Sequence, residues 1–196
     1  MARPSLKDQR TEEILDAYLT CVARFGLEGA TQERIAVQAG VKRPLLRHYL
    51  GNKDQMVASL VAHVVEGFTL STAAMSEAVD DLSSPEQLVE LLFMENGGSD
   101  PRLMLAWQAL TAAVEDYPDA RAPLLASLER FIAVIERSLA RMSPESDRGT
   151  IRAAAQGITS SYVNLDAMTP LQPPAVWRDE LKQAALILAA SLETPK

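Results

Sequence analysis

Cysteine is almost missing from this chain: Cys21 stands alone among 196 residues. An internal disulfide is therefore excluded, and a reducing compartment fits. Histidine is nearly as scarce, with His48 and His63 at no ligand spacing, so no metal site is expected. The longest unbroken apolar run, Ala184 to Ala190, is far short of the ~20 residues that cross a bilayer. The opening MARPSLKDQR is basic and polar with no apolar stretch behind it. No signal peptide, no membrane partner and a cytoplasmic location are the expectations. No alternating apolar pattern marks a strand, so no glycine-rich phosphate loop can follow one. Carboxylates are plentiful but fall on the expected solvent faces of helices. With no nucleophile beside a base and no cofactor loop, neither an enzyme nor a cofactor is expected.

What is present is a polarised charge. Residues 1–54 hold nine Lys and Arg against seven Asp and Glu, net +2, and residues 55–196 hold ten against nineteen, net −9, together the −7 of the whole chain. Within the first part, Lys42 to Lys53 carries Lys42, Arg43, Arg47, His48 and Lys53 with no carboxylate. A cationic segment on an acidic chain needs an anionic partner, and a phosphate backbone is the natural one. DNA would repel the acidic body and accept the basic end, which orients the encounter.

Periodicity supplies the scaffold for that segment. Ile14, Tyr18, Cys21, Val22 and Phe25 recur at helical spacing from about Glu12, with Gly26 as a stop. Thr31 is a good N-cap for a short second helix with Ile35, Ala36 and Ala39 inward, ending at Gly40. Val41 plugs inward, and Leu46 and Leu50, four apart, bury one side of a short third helix. Neither short helix is stable alone in water, so they must fold as one unit with the first. A short helix, a glycine, a plug residue and a second short helix make a helix-turn-helix, whose second helix enters the major groove. Lys42 is a poor N-cap, with no acceptor oxygen and its charge against the positive end of the helix dipole. A nearby phosphate would compensate for it. Pro44 suits the first helical turn.

Residues from about Arg10 to Val61 resemble the N-terminal DNA-binding domain of TetR-family transcriptional regulators. The resemblance rests on Ile14, Leu15, Phe25-Gly26, Thr31, Ile35-Ala36, Ala39-Gly40-Val41, Pro44, Leu46 and Asn52-Lys53. It implies that Thr31 and Gln32 open the second helix near the DNA backbone, and that Arg43, Pro44 and Leu45 face base edges. His48 and Tyr49 fall at positions that commonly meet DNA. Lys53 matches a phosphate-binding lysine at the start of a fourth helix capped by Asn52. The family usually has an aromatic at the position of Arg47, where arginine departs from the pattern but suits the same phosphate. Lys42 is a second departure, and both make the operator sequence less transferable.

Beyond Asp54 the chain reads as helices. Met56, Leu60, Val64 and Phe68 carry a fourth toward Val79, Leu88, Leu91 and Leu92 a fifth, and Leu103, Trp107, Leu110, Val114 and Tyr117 a sixth. Leu128, Phe131, Ile135 and Leu139 mark a seventh, Ile151, Ile158, Tyr162 and Leu165 an eighth, and Trp177, Leu181, Ala185, Leu188 and Leu192 a ninth. Breaks containing proline separate most of them. The expected architecture is all-α: a helix-turn-helix DNA-binding domain over residues 1–54 and a larger helical ligand-binding and dimerisation domain over 55–196.

The resemblance also gives that domain two tasks. A palindromic operator calls for a two-fold homodimer, which the family builds from its last two helices; Ile158, Tyr162, Trp177, Leu181, Ile187 and Leu188 are the candidates here. Helices four to seven would enclose an apolar small-molecule effector, with Phe68, Phe93, Met94, Met104, Trp107 and Phe131 as lining and Gln108, Glu115 and Asn164 as polar groups. Ordinary core packing claims the same residue types. The expected function is a sequence-specific transcriptional regulator, a repressor released from double-stranded DNA by its effector. An activator of the same fold, or a helical adaptor whose basic segment meets an acidic protein, are the alternatives.

Overall fold

The computed structural model describes residues 5–94 and 100–192, and those residues form helices, turns and no strand. α1 (Leu6–Gly29) starts earlier than its apolar rhythm indicates, because Ser5 and Asp8 cap it reciprocally. The Ser5 hydroxyl accepts from the Asp8 amide at 3.1 Å and the Asp8 carboxylate from the Ser5 amide at 3.2 Å. Ile14, Leu15, Tyr18, Leu19, Cys21 and Val22 form its buried row. Gly26, at φ 72°, breaks the helical geometry where a stop is expected. Phe25 departs from expectation: it is 40% exposed. Its ring is covered by cations instead of core, with the Arg24 and Arg34 guanidinium carbons 5.0 and 4.4 Å from its centroid.

Three short connections set the next three helices. Thr31 caps α2 (Gln32–Gln38), its hydroxyl accepting from the Arg34 amide at 3.3 Å. The helix ends on Gly40, whose φ of 63° belongs to glycine. The Val41 amide donates back to the Ala36 carbonyl at 2.9 Å and the Gly40 amide to Val37 at 3.2 Å. That paired closure is the Schellman arrangement, and it turns the chain sharply into α3 (Arg43–Leu50). After Gly51, Asn52 and Gln55 exchange side-chain-to-amide hydrogen bonds of 2.9 Å each, which opens α4 (Lys53–Val79) with the cap expected of Asn52.

Five helices follow: α5 (Pro85–Leu92), α6 (Pro101–Ala112), α7 (Arg121–Met142), α8 (Arg148–Met168) and α9 (Val176–Ala190). α6 is shorter than its apolar spacing suggests. Val114 and Tyr117 lie in the turn after it, and α7 begins at Arg121, well before Leu128, following a 3-10 turn over Pro118–Ala120.

Packing sorts these helices into two compact units, divided inside α4 and α7. One runs through Phe68 and takes in Arg102–Ala126; the other holds Thr69–Pro101 and the chain from Ser127. The first buries Ile14, Leu19, Ile35, Leu46, Val57 and Leu60 together. α4 is long and apolar enough in length and composition to cross a membrane, but Met56, Val57, Leu60, Val61 and Val64 are spent on this core. The second unit buries Leu88, Val89, Ile135, Leu139, Ile151, Ile158 and Ala185. Arg141 closes the end of α4 there, donating to the carbonyls of Val79 and Leu82 at 2.8 Å each.

Leu46 is fully buried and holds α3 to its neighbours. Leu46→Ala should cost about 2–5 kcal/mol of stability, read as a lower urea midpoint. Val37→Ala, at a side chain 78% exposed, should stay within about 0.5 kcal/mol.

Candidate nucleic-acid interface

Two inward leucines decide what α3 shows to solvent. With Leu46 at 0% and Leu50 at 4% exposure, Lys42, Arg43, Pro44, Leu45, Arg47 and His48 are all exposed. Tyr49 is half-buried against the first core, its ring edge-on to His48 with centroids 5.1 Å apart. Thr31 is exposed and Gln32 half-buried at the start of α2. Among the described residues no carboxylate pairs with Lys42, Arg43 or Arg47, so their charge stays available to an anion.

Lys42 occupies the N-cap of α3 at φ −78°, ψ 139° and makes no side-chain cap bond. The Leu45 amide donates to the Lys42 carbonyl at 2.8 Å and Pro44 has no amide hydrogen, so the first turn of α3 leaves the Arg43 amide without a side-chain cap beside two neighbouring cations, an arrangement that attracts an oxyanion. Arg43 leans back on α2, its Nε donating to the Gln32 side-chain Oε1 at 3.3 Å. The Gln32 amide nitrogen in turn donates to the Met56 sulfur at 3.7 Å.

Lys53 is differently placed. Its ammonium lies 3.0 and 3.2 Å from the two Glu28 carboxylate oxygens and 6.0 Å from the centre of the Tyr117 ring. Hydrogen bonding to Glu28, then to Tyr117, raises its pKa above the usual lysine value. A phosphate would have to share this lysine with Glu28. Nothing local links residues 25 positions apart, so the pair left no mark in the sequence. The Arg24, Phe25 and Arg34 stack was also missed, although Arg24-Phe25 adjacency hints at it.

The proposed effector residues do not form a single cluster within either unit. Phe68, Met104, Trp107 and Gln108 belong to the first unit, and Phe93 and Phe131 to the second. In the second unit Tyr162 stacks on Phe131 at 5.7 Å and meets Phe93 edge-on at 6.2 Å. Three expectations need correction: Met94 is 56% exposed, Asn164 is exposed, and Glu115 sits on the surface paired with Arg121 at 2.8 Å. Met94 and Glu115 lie beyond the ends of α5 and α6, and Asn164 lies on the outer side of α8.

Among the dimer candidates Ile158 is the clear correction. It is fully buried in its own unit and has no face to offer a second copy. Leu181, Leu188 and Tyr162 are half-buried against that same core. Trp177 at 41% and Ile187 at 62% exposure leave apolar surface open on α9. Among the described residues no group of three His, Cys, Asp or Glu side chains comes together as a metal site.

Comparison with known proteins bears on both units. The family model described as bacterial regulatory proteins, tetR family, matches residues 14–60, which run from the start of α1's buried row through α2 and α3 into α4. A transcriptional regulator of the helix-turn-helix type, BetI of Paraburkholderia phytofirmans, is 24% identical over 162 residues, covering 82% of this chain and 81% of the relative. In structure, a protein regarded as a transcriptional regulator from Pseudomonas aeruginosa PAO1 superposes with TM-score 0.73 at 23% identity, covering 94% and 90% of the two chains. The regulator FadR of Bacillus subtilis, in complex with stearoyl-CoA, superposes with TM-score 0.62 at 18% identity, covering 91% and 97%. The two structural likenesses establish a shared all-helical fold.

The uncapped start of α3 has a measurable signature. Lys42→Ser should raise the urea midpoint of the free protein, by roughly 1 kcal/mol of helix capping. A value equal to or below the parent would mean that the missing side-chain cap costs the free protein nothing.

Proposed function

We propose that this chain, whose residues 14–60 match the tetR-family model, is a homodimeric repressor whose paired α3 helices hold a palindromic operator until a small apolar effector binds. The observation that carries this reading is the outward face of α3, which is cationic, uncapped and free of carboxylates. Two copies related by a two-fold axis would set their α3 helices in successive major grooves, roughly 34–36 Å apart. The residues of this reading fall within residues 1–54, and the remaining chain serves dimerisation and effector binding.

Each side chain then has a distinct task. Arg43, with Pro44 and Leu45 beside it, meets base edges, and a bidentate arginine–guanine contact discriminates by about 1–3 kcal/mol. Lys42, Arg47, Lys53 and Thr31 meet phosphate and fix the register, with His48 and Tyr49 along the same groove. Lys53 would exchange one carboxylate partner, Glu28, for a phosphate. For dimerisation, the exposed Trp177 and Ile187 on α9 support an apolar contact between two copies.

Effector release follows from linkage. A ligand lowers operator affinity only by the difference in its affinity for the two arrangements of the dimer. The bound stearoyl-CoA of FadR supports an apolar effector. Such a protein works where the chromosome is, in the bacterial cytoplasm, and the homologous regulators give no reason to expect catalysis.

Two measurements test the assignment. Arg47→Ala should weaken binding to all duplexes alike and flatten the slope of log affinity against log salt by about one unit per half-site. An unchanged slope removes Arg47 from the phosphate contacts, and equal binding of specific and competitor duplex by the parent would favour the adaptor reading. Ile187→Glu should shift the protein from dimer to monomer in sedimentation and lower operator affinity with it. A dimer that survives places the interface elsewhere.

A further inference from the structure

Gln32 has a task in this chain that its position at the start of a helix near the DNA backbone does not suggest. We propose that Gln32 is a positioning residue for base readout: it holds the Nε edge of Arg43, so that the two terminal nitrogens of the guanidinium are presented together, and it thereby sets how strongly guanine is preferred. This rests on α3 being the recognition helix.

The argument begins with the orientation of one amide. Gln32 touches two groups through its side chain, the Met56 sulfur at 3.7 Å and Arg43 Nε at 3.3 Å. A thioether has no hydrogen to give and a guanidinium has no lone pair to accept with. The Gln32 amide can therefore stand in one sense alone, NH2 toward sulfur and carbonyl toward Arg43. Met56 is 3% exposed in the first core, so the sulfur is a fixed reference rather than a mobile one. The chain Met56, Gln32, Arg43 thus ties the base-facing arginine to the interior of the first unit.

The consequence for recognition is geometric. Arginine reads guanine by donating two hydrogen bonds to O6 and N7. With Nε occupied by Gln32, the edge left for the base is the Nη1 and Nη2 pair. An arginine otherwise free in all its side-chain torsions loses rotamer freedom on docking, and holding it beforehand lowers that loss. The benefit appears at the base that Arg43 meets and nowhere else. A glutamine that contacted phosphate would behave in the opposite way, weakening all sequences alike and contributing nothing to base preference.

The full-length protein with Gln32→Ala, Gln32→Leu, Arg43→Ala and the Gln32→Ala/Arg43→Ala pair tests this by selection from random duplexes, with folding followed by circular dichroism. The parent should enrich guanine at one position of each half-site, and Arg43→Ala should abolish that enrichment. Both Gln32 variants should reduce it several-fold with the salt slope unchanged, and the double variant should match Arg43→Ala alone at that position. Unaltered guanine enrichment in the folded Gln32 variants overturns the proposal. So does a uniform loss of affinity with a shallower salt slope, which makes Gln32 a phosphate contact. If Arg43→Ala keeps its guanine preference, the base-reading role of Arg43 falls, and the positioning role of Gln32 falls with it.

Discussion

Burial of Leu46 and Leu50 is the constraint from which the rest follows. α3 has eight residues, too few to outweigh the cost of helix nucleation in water. It holds its form because those two side chains are taken into a core with Ile14, Tyr18, Ile35 and Leu60. Fixing two positions four apart fixes the rotation of the whole helix. Arg43, Arg47 and His48 then have nowhere to go but outward. The cationic face is a product of apolar packing, not of any attraction within the protein.

A second consequence concerns where stability has been given up. The connections before α2 and α4 carry well-formed caps at Thr31 and Asn52, while the connection before α3 has Lys42 with none. Three successive helices built by the same rules would be expected to treat their N-termini alike. The exception falls at the one helix whose first turn is proposed to meet a polyanion, and a ligand oxyanion could satisfy what the chain leaves open. Lys53, by contrast, carries a protein partner in Glu28, so its contribution to binding is the difference between two anions. Arg43 and Arg47 face no such competition.

The parts legible in the sequence were those governed by local chemistry. Gly40 and Asn52 announce their conformations because few other residues can fill those positions, and the heptad-like rows of α1, α4 and α7 show which faces are apolar. Direction within an apolar face was less legible. Phe25 fits the inward row of α1 by spacing, yet two arginines from either side of Gly26 cover it at the surface. Ile158 looked available for a partner, but it is fully buried in the core of its own unit. The end of α6 was misplaced because Val114 and Tyr117 keep helical spacing through a turn that Pro118 interrupts. Contacts between distant positions, such as Glu28 with Lys53 or Gln32 with Met56, depend on the folded arrangement and have no local signature.

The most direct measurement of the central claim is protection of arginines from a dicarbonyl reagent, read by peptide mass spectrometry with and without a bound genomic duplex. The account predicts that Arg43 and Arg47 become protected together, while the exposed Arg137 and Arg148 react as fast as before. Equal labelling of Arg43 and Arg47 in the free and bound protein would contradict it.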